Sequence, residues 1–218
     1  MKLVLCDRNP AMVGAWRASF WAHFPEVDIV QEDLQNLDLA DTCVVSPSNS
    51  FGLFTGGVDY YIAKMAFPDD HHALTRMTQA TIVAKFGGQV PVGSCFVMPV
   101  NDRLPFLGIC PTMRTPATCL PMDSTIPYDC AFSAIAAAER YNAENGDVIK
   151  KLLMFGFGTG VGGLSEAHCA RMMSLATKHC DMLRSLPIEA WNSRGFSITH
   201  NTVSKIGREI DRNAQGRR

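Results

Sequence analysis

What most constrains this chain is a repeated alternation of short, unbroken apolar runs with segments of helical periodicity. The runs are LVL at Leu3–Leu5, CVV at Cys43–Val45 and LLMF at Leu152–Phe155. A strand whose apolar residues do not alternate with polar ones is buried on both faces, so helices must cover both sides of its sheet. Strands are expected at Lys2–Cys6, Val27–Gln31, Thr42–Val45, Ser94–Met98, Leu107–Cys110 and Lys151–Phe155. Between them, Asn9 caps a helix with Pro10 at its first position, running to about His23 with Val13, Trp16, Phe20 and Phe24 on one face. Further helices are expected at Gly57–Met65, at Asp70–Phe86 ended by Gly87 and Gly88, at Tyr128–Asn142 after Pro127, and at Leu164–Leu183. The order predicts an α/β domain built as a three-layer α/β/α sandwich.

With 218 residues, 47% of them hydrophobic, the chain can bury one sizeable core, and no Pro/Ser/Gly-rich linker divides it. One domain is expected over residues 1–190. Beyond it, 191–218 reads as a polar extension, partly disordered, with no persistent apolar face and its last dozen residues mobile. A net charge of −1 leaves no basic excess, so nucleic acid is a disfavoured partner. The start, MKLVLCDRNP, meets charge too early for a secretory signal, and no stretch reaches membrane-spanning length; a soluble, cytoplasmic protein without a membrane partner is expected. The eight cysteines lie mostly in apolar runs and read as buried reduced thiols. No CxxC or CxxH spacing supports a metal, and no cofactor is implied.

Two glycine loops carry the chemistry. In SPSNSFGLFTGGVD, Ser46–Asp59, a strand runs through a polar turn into glycines that open a helix, a junction that gathers backbone N–H donors around an anion. In GFGTGVGG, Gly156–Gly163, glycines follow one strand and precede a helix, a second phosphate-cradle candidate. Gly158, Gly160 and Gly163 also satisfy G-x-G-x-x-G, but a dinucleotide fold needs a further strand with an acid about 20 residues on, and Asp181 falls inside a helix. No Lys-Ser/Thr pair follows, which removes a P-loop. LCDRNPAMVGAW with VDIVQEDLQNL mimics part of a methyltransferase, but without the glycine loop that must precede it. His71 and His72 read as exposed helix-start residues, and no cysteine has a neighbour that would activate a thiolate.

Taken together, EDL at Glu32–Leu34, VVSPSNSFGLFTGGVD at Val44–Asp59, GSCFVMPV and CPTM at Cys110–Met113, and GFGTGVGG at Gly156–Gly163 resemble macrodomains, the ADP-ribose-binding modules, over about Met1–Leu186. The resemblance implies a mixed central sheet and ADP-ribose, or an ADP-ribosylated molecule, as partner. It implies that Asp33, with Leu34 beside it, meets the adenine amino group, and that Asn49, next to Ser48, orients the distal ribose. Gly56, Gly57 and Val58 would form the first phosphate loop, and Gly158, Thr159, Gly160, Val161 and Gly162 the second. Asp59, ten positions after Asn49 as in hydrolytic members, would position a water at that ribose, making Asn49 and Asp59 the catalytic pair of an ADP-ribosylhydrolase.

Two alternatives stay open, a non-catalytic ADP-ribose reader and a phosphatase acting on ADP-ribose 1″-phosphate. Departures bear on the catalytic reading. Ser46 stands where the family has the first Asn of NAAN, Pro47 replaces an Ala, and Thr55 replaces a loop glycine. Tyr60 and Tyr61 follow Asp59 where small residues are usual, and either packs into the core or lies against the ribose. Asp59 at a helix start is also an ordinary stabilising placement.

Overall fold

A computed structural model describes residues 1–116, 119–185 and 200–216. The strands are β1 (Lys2–Asp7), β2 (Asp28–Gln31), β3 (Thr42–Ser46), β4 (Phe96–Asn101), β5 (Leu104–Ile109) and β6 (Lys151–Met154). They form one sheet in the order β2-β1-β6-β3-β5-β4, parallel except for β4 against β5. The expected mixed sheet is therefore present, with its antiparallel strand at one edge. Pro99 sits in β4, where an edge strand tolerates a missing N–H.

Helices α1 (Pro10–Phe20), α4 (Ile126–Asn145) and α5 (Glu166–Arg184) cover one face, and α2 (Gly57–Ala66) and α3 (His72–Phe86) the other. Within each strand, successive residues feed opposite layers. Leu5, Cys43, Val45, Leu152 and Met154 pack with Met12, Trp16 and Phe20, whereas Val4, Cys6, Val44, Leu153 and Phe155 pack with Ile62, Leu74 and Ile82. That is the physical reason the runs do not alternate, and the three layers follow as expected.

Element ends differ from the sequence expectation where local bonds tighten a turn. Asn9 caps α1 by accepting from the Ala11 N–H at 3.0 Å, but the helix stops at Phe20 because the His23 N–H turns back to the Phe20 carbonyl. The Asp70 carbonyl accepts from the Ala73 N–H, which delays α3 to His72, and Gly87, at φ +66, closes it.

The polar extension differs more. It contains a helix, α6 (His200–Ala214), that lies on α5. Ile210 and Ala214 pack on the core, so the segment does have an apolar stripe, at Ile206, Ile210 and Ala214, one turn apart. Polar bonds fix it: Arg171 Nε donates to the Asn213 carbonyl at 3.1 Å, and Glu209 meets Lys178 at 2.8 Å and the buried His179 at 3.1 Å. The expected boundary at 190/191, and the end of the resemblance at Leu186, lie outside the described residues.

The cysteines at positions 6, 43, 110, 130, 169 and 180 are buried and free, Cys95 is half-buried and Cys119 exposed. Burial pushes the thiols of Cys43, Cys110 and Cys169 up, and those of Cys6 and Cys180 to about 11 and about 12. Thiolate chemistry is disfavoured at each of them. Among the described residues no helix is long and apolar enough to cross a membrane, and no group of His, Cys, Asp and Glu is placed to hold a metal.

Candidate functional site

The parallel strands carry their C-terminal ends to one side, where an open α/β sheet forms its ligand crevice. A cleft of about 460 Å³ lies there. Asp33, Leu34, Ser48, Asn49, Gly56, Gly57, Val58, Asp59, Gly158, Thr159, Gly160, Val161 and Gly162 all line it, so residues chosen from three separate segments meet in one place.

Its floor continues the sheet as backbone. Past the end of β3 and β5 the chain stays paired in parallel: the Cys110 N–H donates to the Ser46 carbonyl at 3.1 Å, the Thr112 N–H to the Ser48 carbonyl at 2.9 Å, and Asn49 bridges to Met113. The CPTM segment is thus the exit of β5 and the partner of the first loop.

Gly56 precedes α2 in an extended conformation and has no side chain to cap it, while Gly57 takes φ +58. A left-handed residue at that position favours glycine. The first N–H groups of a helix have no intrahelical acceptor, so Gly57, Val58 and Asp59 present free donors and the positive end of the helix dipole where they line the cleft. Ser48 lines the same cleft at 2% exposure, and its hydroxyl has no hydrogen-bond partner among the described residues. Buried polar groups are nearly always paired, so this hydroxyl at the cleft wall has a bond to offer a water or a ligand atom.

The second loop departs from expectation in one respect. It does not open a helix directly: α5 begins at Glu166, and Ser165 caps it by accepting from the His168 N–H at 3.3 Å. One of that helix's first N–H groups is therefore met by its own cap. Residues 156–164 instead fold on themselves, with the Leu164 N–H donating to the Gly158 carbonyl at 3.0 Å and the Thr159 hydroxyl to the Gly156 carbonyl at 3.2 Å. Outside the loop, the Leu120 N–H donates to the Gly162 carbonyl at 2.9 Å.

Asn49 is engaged in its own turn. Its Nδ2 donates to the Leu53 carbonyl at 2.8 Å, and its Oδ1 accepts from the N–H groups of Phe51 and Leu53 at 3.2 and 3.3 Å. The structural role that an Asn plays in loops is therefore filled, and one Nδ2 hydrogen remains for anything else. Asp59 lies in the first turn of α2, and its Oδ1 accepts from the Ser46 hydroxyl at 2.6 Å. Burial pushes its carboxyl up to about 7, with the Ser46 bond pulling the other way. Ser46, a departure from the family pattern, is thus the side chain that holds this acid in place.

Residues that sequence reasoning missed line the cleft as well. They include Arg8 at the end of β1, Glu32, Leu53 and Thr112. Arg8 was recoverable in principle, because it directly follows a parallel strand. Tyr61 faces the cleft, whereas Tyr60 is half-buried and lies edge-on to His71 at 5.4 Å. His71 and His72 sit at the start of α3 and are not among the residues that line the cleft.

No protein-family model matches the chain. A protein of Aquifex aeolicus (strain VF5), described as uncharacterized, is 29% identical over 150 residues, which are 68% of this chain and 78% of that protein. Among solved structures, the Oceanobacillus iheyensis macrodomain with ADP matches with a TM-score of 0.51 at 16% identity, covering 69% of this chain and 74% of that one. A variant of the same macrodomain with an aspartate changed to alanine gives 0.52 at 17% identity, over 69% and 75%. The macrodomain of Mycobacterium tuberculosis DarG gives 0.50 at 18%, over 68% and 87%. The chain has the macrodomain fold.

Proposed function

We propose that this protein binds ADP-ribose in the cleft, free or attached to another molecule, and cleaves the bond at the distal ribose. One observation carries the binding: an uncapped helix start, Gly57–Asp59, shares a cleft with the unpaired, buried hydroxyl of Ser48. Oriented N–H groups and a hydroxyl are what a diphosphate needs, and no lysine is required. The glycine loop at Gly158–Gly162 lines the same cleft, and Asp33 there would offer an adenine amino group an acceptor. That a solved macrodomain of this fold carries ADP agrees with the choice of ligand.

For cleavage, Asp59 is the proton acceptor. A carboxyl that titrates near neutrality is matched to general-base work, and Oδ2 is left for a water once Ser46 has taken Oδ1. The water attacks the anomeric carbon as the bond to the leaving group breaks. Asn49 contributes by shaping the turn that carries Ser48. The test is calorimetric titration with ADP-ribose, followed by release of ADP-ribose from a mono-ADP-ribosylated protein by wild type and Asp59→Ala. Absence of binding at millimolar ligand refutes the whole reading. Binding without release leaves a reader module, and release unaffected by Asp59→Ala removes the role of Asp59.

A further inference from the structure

Arg8 is the one Lys or Arg among the described residues lining the cleft, beside the acids Asp7, Glu32, Asp33 and Asp59. Its guanidinium is held on two sides by different parts of the fold. Nη1 donates to Asp33 Oδ2 at 3.4 Å, and the guanidinium carbon lies 5.3 Å from the centroid of the Tyr61 ring. The side chain of Arg8 nonetheless remains 64% exposed. Tyr61 is 48% exposed, although a ring of its size is more often covered.

We infer that Arg8, backed by Tyr61, is the stacking platform for the planar base of the ligand; this rests on the ADP-ribose reading above. The charge of Arg8 is already met by Asp33, so what it still offers the cleft is a flat, fixed face. A guanidinium stacks on planar π systems as an ammonium cannot, and one already seated on a tyrosine ring and tethered to a carboxylate loses little freedom when a base covers it. The tether also places the acceptor Asp33 at the edge of that stack, where it can meet an exocyclic amine. The platform is built from three elements, the ends of β1 and β2 and the start of α2, so it fixes the base relative to the donors at Gly57–Asp59.

The test is ADP-ribose calorimetry on wild type, Arg8→Ala, Arg8→Lys, Tyr61→Ala and Tyr61→Phe, each checked for folding by circular dichroism. Arg8→Ala weakens binding about two- to thirty-fold, the range of such contacts. Arg8→Lys is weakened to a similar degree because it keeps the charge and loses the plane. Tyr61→Ala weakens binding over the same range, and Tyr61→Phe, which keeps the ring under the guanidinium, weakens it less than Tyr61→Ala does. Wild-type affinity in Arg8→Ala or in Arg8→Lys overturns the platform alone. A wild type that binds no ADP-ribose overturns the ligand reading and the platform with it.

Discussion

Replacing Asp59 by Asn should stabilise the protein at alkaline pH and leave it unchanged at acid pH. In the folded state burial raises this carboxyl from 3.8 to about 7. Between those values the native protein binds more protons than the unfolded chain, so stability falls as pH rises through the window and the loss is complete above about pH 7. A shift of about 3 units at 1.36 kcal/mol each sets a ceiling of about 4 kcal/mol. Water entering the open cleft offsets part of that, which leaves on the order of 2 kcal/mol. Asn keeps an oxygen for the Ser46 hydroxyl and carries no charge to bury. Urea unfolding of both proteins from pH 4.5 to pH 8 reads the difference directly. With a slope of about 2 kcal/mol per molar, the variant midpoint should lie roughly 1 M above wild type at pH 8 and coincide with it at pH 4.5. An offset that does not change with pH, or a wild type more stable than the variant at pH 8, would refute the argument that Asp59 is held against its ionised form.

Ser46→Ala should move the Asp59 titration upward by about 1 to 2 pH units, since a hydrogen bond to an ionised group contributes about 1.5–3 kcal/mol; the carboxyl carbon shift followed by NMR measures it. Gly162→Ala places a Cβ 2.5 Å from the Gly158 carbonyl oxygen, a backbone atom that cannot step aside, so the second loop must deform at a cost of about 1–3 kcal/mol. Its ADP-ribose affinity should collapse while the far-ultraviolet circular dichroism stays native. Glu209→Ala takes one partner from the buried His179 and one from Lys178, and should cost about 1–3 kcal/mol. Hydrogen exchange should then rise in α6 first, and equal exchange in α1 and α6 would speak against a local clamp.

Much of the fold was legible because unbroken apolar runs such as Leu152–Phe155 admit few placements other than a strand between two helical layers. The glycine loops were legible for a similar reason: strand, glycines, helix is a short sentence with few readings. What escaped was set by pairing at a distance. Ser46 read as a missing Asn until the structure put its hydroxyl on Asp59. Ser165 stood in plain view as a cap, yet the glycines before it suggested a helix start two residues too early. In α6, Ile206, Ile210 and Ala214 keep a helical interval, but Lys205, Arg208, Glu209, Asp211 and Arg212 crowd between them and mask the stripe. Arg8 and Tyr61 are neighbours only because β1 ends and α2 begins at the same rim.

The strand order has a consequence for how the site comes into being. β1 and β2 pair with each other, and β3, β5 and β4 form a second group, but among the described residues the two groups touch within the sheet only through β6. Lys2 therefore waits for Lys151, across nearly 150 residues of chain, before its strand gains a second neighbour. Pairings at such separation close slowly, because the loop entropy must be met before the contact forms. The cleft inherits this schedule. Arg8 and Asp33 arrive with the first group, Ser48 and Asp59 with the second, and Gly158–Gly162 with the strand that joins them. A ribosome must then release most of the chain before any ligand can be held, and pulse-labelled amides of β1 and β6 should become protected together, late in refolding.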